Sequence, residues 1–115
     1  MLEKTSQNLN WIAGLVEGEG YIGLVENRPI LSVDMTDKDV LDKLALFWGT
    51  KVQTLPKPKI PNYKQKYRVK LGDTRAASWL MTLYVLMGSR RQTRIRDVLS
   101  YWSIIKHKNP KLCSQ

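Results

Sequence analysis

The chain has 115 residues, 43% of them hydrophobic and 25% charged, which suits one folded domain with one core and excludes a disordered chain. Nineteen Lys and Arg against ten Asp and Glu leave a net charge of +9, so the natural partner is a polyanion, either nucleic acid or an acidic membrane surface. A single cysteine, Cys113, excludes an intrachain disulfide, and with His107 the only histidine a Cys/His structural zinc site is excluded too. Asn8 or Asn10 is placed to cap a first helix over about residues 8–18, in which Trp11, Ile12, Leu15 and Val16 recur on one side and which Gly18 and Gly20 end. Tyr21 to Glu26 reads as a strand, Asn27-Arg28-Pro29 as a turn, and Ile30 to Met35 as the returning strand. Thr36-Asp37-Lys38-Asp39 resembles a capping box and opens a second helix with Val40, Leu41, Leu44, Leu46 and Phe47 on its apolar face and Gly49 as its stop.

A third strand is expected at about Thr50 to Leu55. Three prolines between Pro56 and Pro61 would remove ladder donors, so that stretch is a loop. Gln65 to Leu71 is the fourth strand. Asp73 or Thr74 caps a third helix to about Met87, Gly88 breaks it, and a second capping box at Ser89-Arg-Arg-Gln92 opens a last helix to about Lys106. The tail from about residue 108 is expected to be flexible. The order α-β-β-α-β-β-α-α, without internal repeat or linker, predicts a single α+β domain over residues 1–115 with helices on one face of a four-stranded antiparallel sheet. No apolar run approaches the roughly 18 residues needed to cross a bilayer. Met1-Leu-Glu-Lys-Thr-Ser lacks the basic-then-apolar order of a secretory signal. The expectation is an intracellular protein, in cytoplasm or organelle matrix, neither secreted nor membrane-bound.

The period of two along the strands says which face meets the partner. Tyr67, Val69 and Leu71 alternate with Lys66, Arg68 and Lys70; Val52 with Lys51 and Gln53; Leu31, Val33 and Met35 with Ser32 and Asp34. In the first strand Ile22 and Leu24 face the helices, leaving Tyr21, Gly23, Val25 and Asn27 outward. Lys and Arg neutralise phosphates without reading sequence, whereas Gln, Asn, Ser and Asp address base edges in a groove wide enough for a β-ribbon. Polar alternation alone is common on the wet face of any antiparallel sheet. Three cations on one strand, with Lys57 and Lys59 in the adjoining loop and Arg28 at the turn, favour nucleic acid.

Gly14 and Gly18 lie four apart and share a helix face, a spacing that lets two helix backbones approach closely. Glycine inside a helix costs about 1 kcal/mol, so closeness is needed there for some reason. Glu17 and Glu19 follow at the helix C-terminus, where carboxylates oppose the macrodipole unless a cation is bound. The whole string, Ile12-Ala-Gly-Leu-Val-Glu-Gly-Glu-Gly20, resembles the LAGLIDADG motif of homing endonucleases. The order of elements over roughly residues 8–105 is similar to that family's αββαββα unit with its saddle-shaped sheet.

The resemblance implies a site-specific, double-strand DNA endonuclease. One motif per chain implies a homodimer reading a pseudo-palindromic site, with Trp11, Gly14, Leu15 and Gly18 at the dimer interface. Glu19, the last acid of the motif, would be both metal ligand and catalytic residue, holding Mg2+, with Mn2+ able to substitute. Both acidic positions are Glu here where the motif's name carries Asp. Glu17 is read as a solvated or capping carboxylate. The family places basic or polar residues near the scissile phosphate after the third helix, matching Arg90 or Arg91, and a polar residue near the active-site waters, matching Asp37. Trp48, Trp79, Tyr84 and Trp102 are expected in core or interface rather than as stacking platforms. Competing readings are an intron maturase gripping structured RNA, a DNA-binding regulator that no longer cuts, and a basic membrane-surface protein. The last would place its cations on an amphipathic helix rather than on strands.

Overall fold

The computed structural model describes residues 5–108, with side chains to residue 103. The flexible tail expected beyond residue 108, Cys113 within it, and the His107 side chain lie outside the described residues. Helix α1 spans Ser6–Glu19. Its cap is Thr5 rather than Asn8 or Asn10, both of which lie inside the helix. The extended backbone at Thr5 lets its hydroxyl accept the Asn8 N–H at 3.2 Å. Gly18 continues the helix, and Gly20 alone turns the chain: a Cβ there would sit 2.5 Å from the Val16 carbonyl oxygen. The helix therefore passes into strand β1 (Gly20–Val25) without a loop, with Glu19 as its last residue.

Strand β2 is Arg28–Met35, starting two residues earlier than expected. Glu26 and Asn27, with φ of 51° and 66°, form the two-residue connection whose twist suits a tight hairpin. Pro29 is then a strand residue opposite Leu24. It is tolerated because pairing with the other neighbour begins only at Ile30, so no donor is required of it on that side. Helix α2 (Lys38–Trp48) starts after Asp37, whose side chain makes no capping bond. The expected box gives way to an exposed Lys38–Asp42 pair at 3.2 Å, one turn apart. Gly49, at φ 63°, ends α2, and Arg75 donates to the Trp48 and Gly49 carbonyls there. Leu46, expected on the buried face, is 60% exposed.

Strand β3 is only Gln53–Thr54, shorter than expected, and β4 is Tyr67–Gly72. Between them the proline loop is closed at its base: the Leu55 N–H donates to the Lys66 carbonyl, and the Gln65 amide donates to the Leu55 and Lys66 carbonyls. Helix α3 (Asp73–Leu83) is followed by a 3-10 turn, Tyr84–Leu86, where one continuous helix was expected. Asp73 is itself the first helical residue and makes no cap bond; it pairs with Arg28 at 3.3 Å. Helix α4 runs Ser89–Lys108. Its expected capping box is absent, because the Gln92 side chain turns back to donate to the Tyr84 carbonyl and its N–H bonds the Gly88 carbonyl.

The four antiparallel strands lie in the order β1-β2-β4-β3. Ile22, Leu31, Val33, Val69 and Leu71 point from the sheet into a core closed by Ile12 and Val16 of α1, Leu41 and Leu44 of α2, Leu80 and Leu83 of α3, and Ile95 and Val98 of α4. Trp48 and Trp79 are buried there with ring centroids 6.1 Å apart, as core aromatics rather than platforms. Among the described residues no helix is long and apolar enough to cross a membrane. All four helices contact the sheet from this one side, which leaves its other face open.

Candidate nucleic-acid interface

The strand register sorts the open face into rows, since directly opposed residues point the same way. Nearest the end of α1, Asp34, Arg68 and Gln53 form one row across β2, β4 and β3; the next holds Tyr21, Ser32 and Lys70. Farther out come Gly23, Ile30 and Gly72, then Val25 opposite Arg28. Polar groups thus gather at the Glu19 end, while the hairpin end is apolar apart from Arg28. Glu19, Tyr21, Val25, Ile30, Ser32, Asp34, Arg68 and Lys70 line one concavity of about 420 Å³.

Within these rows the side chains differ in freedom. Arg68 is held by Asp34 through two bonds of 2.7 and 2.8 Å. That bonding, against a smaller opposing effect of burial, raises the guanidinium further above its ordinary value. Lys70 is exposed on β4, and Lys66 just before that strand, Lys51 just before β3, and Lys57 and Lys59 in the proline loop are exposed as well. Ser32 faces this side but is 7% exposed, between Tyr21 and Lys70. The Tyr21 ring lies over Gly23, where a Cβ would come within 2.6 Å of Cζ. Asn27 accepts a hydrogen bond from the Tyr101 hydroxyl of α4 at 3.1 Å, and Arg28 is engaged by Asp73. These last two belong to the hairpin's anchoring as well as to the open face.

Glu19 is exposed, and its side chain makes no hydrogen bond or ion pair among the described residues. Glu17, two residues earlier, has a different setting. Its carboxylate lies against Gly88, 2.7 Å from where a Cβ would be, at the N-terminus of α4. The positive end of α4 offsets the unfavourable end of α1 for this acid. Arg91 completes the junction by donating Nη2–H to the Glu17 carbonyl at 3.2 Å, one of the carbonyls α1 leaves without an internal partner. Arg90 is exposed and makes no ion pair among the described residues. Asp37 is exposed two residues past β2, at the end of the sheet where Gly20 pairs with Val33.

The other side of α1 is bare. A Cβ at Gly14 or Gly18 would meet nothing within 4 Å. Leu15 is half-buried beside them, and Trp11 leans away onto Phe47, 6.2 Å between ring centroids, with the Lys43 ammonium 4.2 Å over its ring. Trp11 thus already contributes to the chain's own packing.

No family model and no curated protein sequence matches this chain. Solved structures do. The archaeal intron-encoded homing endonuclease I-Vdi141I, complexed with DNA, superposes with a TM-score of 0.57 at 18% identity over 85% of this chain and 66% of its own. I-CvuI, in complex with its target in the presence of Ca, gives 0.59 at 17% identity over 93% of this chain and 73% of its own. I-CvuI on a second target in the presence of Mg gives 0.55 at 18%. The chain has the LAGLIDADG homing-endonuclease fold. It spans about two thirds of the length of I-Vdi141I, and the likeness at this identity is one of architecture.

Seen on a homing-endonuclease fold, Ile30, the Arg68–Asp34 clamp and the Arg91–Glu17 contact are features that reading the sequence passed over. The first had a signal. Counting back by two from Asp34 and Ser32 reaches Ile30 and Arg28, once the turn is placed at Glu26-Asn27. The other two join residues 34 and 74 positions apart in the chain and have no local signature.

Proposed function

We propose that this chain is a site-specific double-strand DNA endonuclease that acts as a homodimer and hydrolyses phosphodiester bonds with divalent metal. The observation that carries the reading is Glu19: an unpaired acid at the end of a glycine-bared helix, on the rim of a concave face furnished with cations and base-reading side chains. The homing-endonuclease neighbours, solved with DNA, support the class of partner.

The donor set fits a magnesium-like ion only in part within one chain. Among the described residues no three His, Cys, Asp or Glu side chains gather. A hard cation that keeps much of its water needs only one or two carboxylates with phosphate oxygens. Two Glu19 side chains, brought together by packing the Gly14–Gly18 faces of two copies, supply that number. The metal, when bound, supplies charge stabilisation for the displacement at phosphorus. The chain's own residues do the rest. Lys51, Lys57, Lys59, Lys66 and Lys70 hold the phosphate backbone, and Tyr21, Val25, Gln53 and Arg68 lie where base edges would pass. Arg90, exposed at the start of α4 and in no ion pair among the described residues, is free to approach a phosphate. Arg91 orients the end of α1 and thus Glu19.

The test is incubation with a DNA library and Mg2+, repeated with Glu19→Gln. Cleavage is expected to fall on the order of 10³-fold with DNA binding retained. Unchanged cleavage would overturn the role of Glu19, and a chain that stays monomeric at micromolar concentration with DNA would overturn the shared site.

A further inference from the structure

Arg68 and Asp34 are directly opposed on β4 and β2, at the polar end of the open face. The clamp is side-on: Nε–H donates to Oδ1 at 2.7 Å and Nη2–H to Oδ2 at 2.8 Å. A guanidinium carries five N–H donors in a rigid fork. The clamp uses two. Both hydrogens on Nη1 and one on Nη2 remain; one from each nitrogen forms the second, end-on edge of the fork, directed away from the carboxylate. Both side chains are more than a third exposed, 38% and 36%, and line the concavity of the open face.

Charge decides what that edge can bind. With Asp34 attached, the pair is neutral as a unit, and a phosphate approaching Arg68 also approaches a carboxylate. Lys70, one row away and in no ion pair among the described residues, suits the backbone better. A neutral partner with two acceptors side by side meets no such repulsion. In the major groove guanine offers that pair in O6 and N7. Gln53, opposite Arg68 on β3, stands in the same row.

We propose that Arg68, held side-on by Asp34, is a specificity-determining residue that reads one guanine in each half of the DNA site, while Lys70 beside it contacts phosphate. This rests on the open face being the DNA-binding face.

The test selects bound duplexes from a randomised double-stranded DNA pool with the full chain and its variants, and measures affinity against salt. The unmodified chain should enrich a guanine at one position per half-site. Arg68→Ala and Arg68→Lys should both lose that preference, by roughly 5- to 150-fold, and leave the other positions as they were. Lysine keeps the charge and the stem but not the fork. Asp34→Ala should weaken the same preference while tightening binding to unrelated DNA. Lys70→Ala should keep the guanine and reduce the slope of log affinity against log salt by about 0.9. If Arg68→Lys keeps the guanine preference, or if Arg68→Ala lowers the salt slope as Lys70→Ala does, Arg68 is a phosphate contact and the proposal fails alone. If the unmodified chain binds no duplex, the DNA-binding reading fails and takes this one with it.

Discussion

Along α1, Ile12, Ala13 and Val16 are sealed into the core, while on the opposite side a Cβ at Gly14 or Gly18 would meet nothing within 4 Å. The first side does what a helix in a layered domain must do, since its stability comes from burying an apolar stripe against the sheet. The second side works against the helix. Two glycines in this helix each cost about 1 kcal/mol relative to alanine, and nothing among the described residues packs where their side chains would be. On the homodimer proposed above, a helix packed on one side and bare on the other would separate folding from assembly, so substitutions on the two sides should have different, even opposite, effects.

The largest effect on folding belongs to the sealed side. Ile12→Ala should lower the unfolding free energy by about 2–5 kcal/mol, read from urea denaturation, and lower DNA binding only through the unfolded fraction. Next comes Gly18→Leu, which fills the space a second helix would need. Sedimentation should show at least a hundredfold weaker self-association with the thermal midpoint of the monomer undiminished; a dimer unaffected by leucine would show that this face is not where the copies meet. Gly14→Ala probes the same face with a reversed sign. It should stabilise the isolated chain by about 1 kcal/mol while weakening the dimer, so the two measurements must move apart. The smallest effect is expected at the junction with α4. Arg91→Met keeps the stem and removes the charge from the C-terminus of α1, and should destabilise by about 0.3–1 kcal/mol, with the loss shrinking at high salt. A larger fall in cleavage than in DNA binding would show that Arg91 acts by orienting Glu19.

Much of this was legible in the sequence for a physical reason. The α+β layering follows from two periodicities that any reader of the chain can count, and Gly14, Gly18 and Glu19 announce themselves because glycine and a carboxylate are both unfavourable where they stand. What failed were the caps. The boxes at Thr36 and Ser89 looked right locally, yet Lys38 took Asp42 as its partner and Gln92 turned to the Tyr84 carbonyl. A neighbour one helical turn on in the first case, and one in the preceding 3-10 turn in the second, displaced a four-residue pattern. Counting cations on β4 also overstated the free charge of the open face, because Asp34, called outward correctly, turns out to hold Arg68. Alternation tells which side a residue faces, not which neighbour it has there.

The loop between β3 and β4 has a consequence for the thermodynamics of binding. Pro56, Pro58 and Pro61 fix φ at three places among Lys57, Lys59 and Lys64, and the Leu55–Lys66 and Gln65 bonds fasten its base. Ordering a free residue opposes association by about 1–2 kcal/mol of lost backbone entropy, and much of that loss has already occurred here before any partner arrives. Calorimetry should therefore find a less unfavourable binding entropy than for the same lysines carried on a glycine-serine arm.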